Sequence, residues 1–320
     1  MKKTSLIVAA SLAVLTVPCQ AVWTTLSLPN TTSWDGTTMG HLSDGRFIYG
    51  HNGSLIQQDI FGSSAASAYA NAPAGDYSFV TSQFLGIGGF ASKPVYSFDG
   101  SNITSSFTNI TSSYQVYQAV NYDTTSMILV GTDGGNSDLA YLNTSGTYVT
   151  LIDGISSYSG GIASDASGNV YVADNDDFKI YKYTAAQIAG AIDGTPLTIS
   201  DGTFIANLGV SGSLAVDSST NRLYASGYQK EGIQVFDMTL SQSGTITPGL
   251  TNANYQVNTF SDGANNYVGW INRDNWNGGD AVAYGYDLSS QVAIPEPSAF
   301  ALFIVAGGAC FLRRRLGKAS

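Results

Sequence analysis

The chain of 320 residues holds 36 glycines, 12% aromatic residues and only 11% charged ones, a strand-and-turn profile that excludes a disordered or predominantly helical protein. Its formal charge is −10; with Lys2, Lys3, Arg313, Arg314, Arg315, Lys318 and Glu296 set aside, residues 22–294 carry seven basic and 22 acidic side chains, a net of −15. That surface argues against nucleic acid or anionic lipid as a partner of the middle region.

Met1 to Ala21 reads as a secretory signal helix. Lys2 and Lys3 precede an apolar run from Leu6 to Val17, and Cys19-Gln20-Ala21 forms an A-x-A-like cleavage site. Twelve apolar residues are too few to span a bilayer comfortably. Cys19 and Cys310 both lie in end segments, so the middle region, 22–287, has no disulfide and relies on core burial.

Val22 to Leu28 is a lone strand ahead of Pro29, expected to pair beside the strands around Tyr284. After it a three-strand rhythm recurs. Its clearest copy is Gly161–Tyr183: a short strand to Asp165, a turn Asp165-Ala-Ser-Gly-Asn169, a strand Val170-Tyr-Val-Ala173, an acidic turn, and an alternating strand Lys179–Tyr183. The middle strand is apolar on both faces, which suits a sheet covered on both sides. Looser copies centre on Phe47, Phe84, Ile128, Leu223 and Tyr267; with Val170 the intervals are 37, 44, 42, 53 and 44 residues. Sheets with two apolar faces must stack on each other, and spacings of ~40–50 residues are those of propeller blades. The expected fold is all-β, a six-bladed β-propeller with an N-terminal signal helix and a short C-terminal membrane helix. Thr184 is placed to cap a short helix running to about Ala191, an insertion that accounts for the interval of 53.

Little in the chain points to catalysis. His41 and His51 are its only histidines, and two separate packed or exposed rings are the simpler account than a metal pair. Neither G-x-S-x-G nor H-E-x-x-H occurs. Asp174, Asp176 and Asp177 form the densest acidic cluster. A Ca2+ ion there is conceivable, but the spacing lacks an EF-hand's glycine and closing glutamate, and shaping the turn is the favoured role. The most ligand-like stretch is Trp270–Gly279, where Trp270, Asp274, Trp276 and Asn277 combine flat rings with hydroxyl-binding groups; a Trp270 packed between blades is the equal alternative.

A polar linker, 288–293, leads to the tail, 294–320. There Pro295-Glu296-Pro297 precedes an apolar piece, Ser298 to Leu312, and then Arg313-Arg314-Arg315. Fifteen residues make a helix of about 22 Å against a ~30 Å hydrocarbon core, a marginal span whose arginines mark the cytoplasmic end.

Two resemblances follow. Gly161–Tyr183 resembles an NHL-type propeller repeat, roughly G-I-A-x-D-x-x-G-N-x-Y-V-A-D followed by N-x-x-I-x-x-Y/F. This implies a propeller, and family members serve mostly as binding platforms, with lyases and hydrolases as exceptions. Gluconolactonase-type propellers use a metal set with a glutamate, whereas Glu231 is the only glutamate of the middle region. The tail closely resembles the PEP-CTERM sorting signal of Gram-negative bacteria. That resemblance implies an exosortase-like partner, transient anchoring in the inner membrane, release to the outer surface or matrix, and an exopolysaccharide or biofilm setting. Together they imply a binding or scaffold module, with enzyme activity left open, no cofactor beyond the Ca2+ considered above, and polysaccharide as its candidate ligand. A secreted lyase or hydrolase and a purely structural matrix protein are the alternatives.

Overall fold

In the computed structural model the described residues are those from 23 to 287, except 29–38, 42–45, 52, 59–66, 70–71, 76, 88–92, 99–101, 111–114, 133–136, 157–159, 209–211, 227–232, 239–242, 247–252, 262–264 and 274–280. They belong to one unit, Trp23–Ser289. The predicted signal helix, sorting motif and C-terminal membrane helix lie outside them. Among the described residues no helix is long and apolar enough to cross a membrane.

After β1 (Trp23–Leu28) the chain lays down four-stranded antiparallel sheets in sequence. The first is β2 (Met39–His41), β3 (Phe47–His51), β4 (Ser54–Gln58) and β5 (Ser67–Ala68). The second is β6 (Tyr77–Val80), β7 (Phe84–Ile87), β8 (Lys93–Phe98) and β9 (Ile103–Ile110). The third is β10 (Gln115–Asn121), β11 (Ser126–Thr132), β12 (Ser137–Asn143) and β13 (Tyr148–Ser156). The fourth is β14 (Ile162–Ser164), β15 (Val170–Asp174), β16 (Lys179–Tyr183) and β17 (Thr203–Asn207), with α1 (Ala185–Ile192) inserted before its last strand. The fifth is β18 (Leu214–Asp217), β19 (Arg222–Ala225), β20 (Ile233–Asp237) and β21 (Ser243–Ile246). The sixth is β22 (Ala253–Ser261), β23 (Asn266–Arg273) and β24 (Ala281–Asp287), and β1 returns to complete it, with Thr25 opposite Tyr284.

The first strands β2, β6, β10, β14, β18 and β22 neighbour one another in that cyclic order, and β22 comes back to β2. The described residues thus form six sheets around a common axis. Closing the last sheet with the first strand ties the two ends of the ring together by main-chain bonds.

Alternation along each second strand explains why the sheets stack. In β15, Val170 and Val172 enter a cluster with Ile128, Val130 and Leu139 of the third blade. Tyr171 and Ala173 enter another with Leu214, Leu223 and Phe236 of the fifth. In β11, Ile128 and Val130 face the fourth blade while Met127 and Leu129 meet Phe79, Phe84 and Val95 of the second. Each such side chain contributes about 1.5–3 kcal/mol on burial, which no isolated sheet could collect on both faces.

Close approach between blades leaves no room at some backbone positions. A Cβ on Gly161 would lie 2.3 Å from the carbonyl oxygen of Gly212 and 2.7 Å from the amide nitrogen of Leu214. The turns are built by the recurrent aspartate. Asp165 Oδ1 accepts from the amides of Ser167 (2.9 Å) and Asn169 (3.0 Å), and its Oδ2 accepts from Asn169 Nδ2 and the Tyr171 hydroxyl. Asp217 does the same with Ser219 and Thr220. Thr184 caps α1 in a capping box with Gln187, as its position predicts.

Trp270 requires a correction. It is a residue of β23 with no exposed surface, packed with Ala215, Tyr224, Val235, Val257 and Val268 between the fifth and sixth blades. The interblade alternative holds for it, and it has no face to offer a ligand. Asp274, Trp276 and Asn277 lie outside the described residues.

Candidate binding site: the axial pocket

A strand at a sheet edge leaves half of its N–H and C=O groups unpaired. In this ring the first strand of each blade turns that edge toward the axis, so polar backbone converges there although the strands are apolar. A cavity of about 300 Å³ occupies the axis, lined by residues of all six blades. Val80, Ala119, Ala163, Leu214 and Ala215 line it while their side chains belong to the interblade clusters, so they present mainly backbone. The side-chain polarity comes from His41, Thr81, Ser82, Gln118, Asn121, Ser164, Asn258 and Thr259.

Gln118 spans the axial end of three blades. Its Oε1 accepts from the amides of Ile162 (3.0 Å) and Leu214 (3.2 Å), and its Nε2 donates to the Leu214 carbonyl (2.7 Å). One neutral amide therefore satisfies edges of the fourth and fifth blades from the third. On the same side, Gln256 of the sixth blade reaches across to the Tyr117 carbonyl of the third (2.8 Å). Toward the C-terminal ends of the first strands, Thr81 donates to Asn121 Oδ1 (2.7 Å) and Asn121 Nδ2 donates to Ser82 Oγ (2.6 Å), joining the second and third blades. Thr259 donates to the Val216 carbonyl (2.8 Å), joining the sixth and fifth.

His41 is the one titratable side chain among the lining residues. Desolvation by burial holds its pKa down at about 4, with a hydrogen bond to Asn258 opposing the shift, so the ring is neutral at physiological pH. It leans on Phe260 at 5.9 Å, and its Nδ1 is buried without a hydrogen-bond partner. Among the described residues no Asp, Glu, Lys or Arg lines the cavity. What the arrangement can do is bind an uncharged molecule through many neutral donors and acceptors. Among the described lining residues the imidazole's side-chain partner is the neutral Asn258.

The other sequence candidates sit elsewhere. His41 pairs with Phe47, whereas His51 lies four residues further along β3, roughly 13 Å away at strand rise, so the two do not converge. Asp174 is buried and its Oδ1 accepts from the amides of Asp176 (3.0 Å) and Asp177 (3.3 Å), while Asp177 pairs with Lys179 at 2.7 Å. The cluster builds a turn. Glu231 and the sorting residues Pro295, Glu296, Pro297, Arg313, Arg314 and Arg315 fall outside the described residues. Sequence reading passed over Gln118, Asn121 and Asn258. Their signal is a polar residue inside the otherwise apolar first strand of a repeat.

This architecture defines the class: an all-β propeller with its polar pocket on the axis. No protein-family model matches the chain, and no curated protein matches it in sequence. Solved structures do match. A luciferin-regenerating enzyme superposes with a TM-score of 0.60 at 10% identity, over 83% of this chain and 95% of that one. Regucalcin from Agrobacterium tumefaciens, described as a calcium-binding protein, gives 0.52 at 10% identity over 82% and 90%. A streptogramin B lyase gives 0.52 at 9% identity over 84% and 99%. At such identities the likeness establishes the β-propeller fold alone. Calcium takes hard oxygens, carboxylates foremost; the described lining of this axial pocket offers amide, hydroxyl and backbone oxygens but no carboxylate. Among the described residues no group of three or more His, Cys, Asp or Glu is placed to hold a metal.

Proposed function

We propose that the protein is an exported binding propeller whose axial pocket takes a neutral, hydrogen-bonding ligand, with exopolysaccharide of the envelope or matrix as the source. Its tail, read as a PEP-CTERM signal, anchors it in the inner membrane until an exosortase-like enzyme processes it. The observation that carries the binding reading is the composition of the pocket: hydrogen-bonding groups from every blade and, among the described residues, no charged side chain. A neutral His41 without a carboxylate partner supports binding over acid–base chemistry.

The test is a screen of the full-length protein against neutral and acidic glycans, with Asn121→Ala as the pocket variant and product analysis alongside. Neutral glycans should bind, weaken in Asn121→Ala, and emerge unchanged. Binding indifferent to Asn121, or turnover of the bound glycan, refutes the reading. Calcium in a parallel arm asks whether a cation binds at the acidic loops instead. For the tail, replacing Pro295-Glu296-Pro297 with alanines should leave the protein unprocessed in the inner membrane; normal processing counts against the sorting proposal.

A further inference from the structure

One lining residue of the pocket is followed in the chain by an exposed aromatic ring. Asn121, which lines it, is the last residue of β10, and the next residue, Tyr122, is 36% exposed. Its ring meets Tyr141 of β12 edge-to-face, with centroids 5.7 Å apart and planes at 88°. Such a contact fixes a ring while covering at most one of its faces. The Tyr122 hydroxyl is held above the usual tyrosine range, by burial first and then by the charges of Tyr141, Asp123 and Asp193. Asp193 belongs to the fourth blade, at the C-terminal cap of α1. Asp123 is partly engaged, since its Oδ1 accepts from the Thr125 amide (2.7 Å) and hydroxyl (2.9 Å). Tyr141, Val149, Ile192 and Leu197 pack on one apolar cluster beneath, so the seam between the third and fourth blades is well supported.

We infer that Tyr122 and Tyr141 form an outer subsite for the next sugar ring of a neutral polysaccharide whose end lies in the axial pocket. This rests on the pocket reading above. A pyranose presents C–H groups on its face and hydroxyls around its rim, so it can lie on an aromatic ring with its hydroxyls left to hydrogen-bond around the edge. The net charge of −15 on residues 22–294 repels a uronate or sulfated unit, which selects neutral chains over acidic ones.

The full-length protein, in a detergent without a glycoside headgroup, is titrated with neutral hexose oligosaccharides from one to six units, by calorimetry and ligand-observed NMR. Affinity should rise on going from one unit to two or three. Tyr122→Ala should weaken the longer chains about five- to tenfold, leave the monosaccharide unchanged, and be rescued by Tyr122→Phe. Uronic-acid oligosaccharides of equal length should show no gain. A chain-length gain that survives Tyr122→Ala, or an equal gain with uronates, overturns the outer subsite. If the monosaccharide binds and longer chains gain nothing, the subsite alone falls; if neither binds, the pocket reading falls with it.

Discussion

Replacing Gln118 with leucine tests whether the ring is held at its axis by satisfied strand edges as well as by apolar stacking. The substitution keeps volume roughly constant and removes three hydrogen bonds, two accepted from Ile162 and Leu214 and one donated to Leu214. Each is worth about 1 kcal/mol net, and each backbone group left buried and unpaired costs about 1–3 kcal/mol, less where water from the adjoining pocket reaches it. The expected loss is about 3–4 kcal/mol. For a chain of this size that lowers the Tm by roughly 10 °C, read by calorimetry and far-UV melting. Thr104→Ala, which removes an exposed bond to the Ser97 carbonyl, is the control and should change little. Gln118→Glu adds a pH signature. Its second oxygen faces the Leu214 carbonyl where Nε2 had donated, so only the protonated acid can restore that bond. The folded-state pKa of the new carboxyl is then raised above the ordinary ~4.3. Stability should be retained below that unfolded value and lost as pH rises through the folded one. A loss under about 1 kcal/mol in Gln118→Leu, equal to the control, refutes the axial role.

Further outcomes follow from the same geometry. Because His41 stays neutral in the fold down to about pH 4 while the unfolded ring protonates near 6.5, stability should fall by about 2 kcal/mol between pH 7.5 and 5. His41→Gln should flatten that part of the curve in urea titrations, and an unchanged slope counts against a buried neutral ring. At Asp165 burial alone would raise the pKa, but bonds from Asn169, Tyr171 and Ser167 outweigh it and hold the carboxyl below its usual range. Its contribution is therefore present above pH ~4 and lost as pH falls through the lower folded value; Asp165→Ala should cost about 2–3 kcal/mol at pH 7 and progressively less under acid. Gly161→Ala pushes a methyl into the backbone of the fifth blade and should cost at least about 2 kcal/mol, whereas Gly190→Ala, in open space on α1, should be neutral or slightly stabilising.

Much of the fold was legible because its determinants are local. The markers Phe47, Phe84, Ile128, Val170, Leu223 and Tyr267 each fall in the second strand of a sheet, where alternating apolar residues serve two neighbours. Thr184 caps its helix because an N-cap and its N3 partner lie within one turn of chain. The site was less legible. Trp270 stands next to a polar stretch and looks like part of a binding loop, yet its position along β23 turns it into the core. Gln118 and Asn258, in different blades, give no short-range sign of meeting at one cavity.

Sequence by itself determined the repeat, the turn aspartates and the capped insertion, since each depends on side-chain alternation or on bonds spanning a few residues. Only the tertiary structure decided what lies on the axis. Which first-strand residues converge there depends on how the sheets pack around the ring. The neutral described lining of the pocket and its neutral histidine are products of that convergence, in which edges distant in the chain share one small desolvated space.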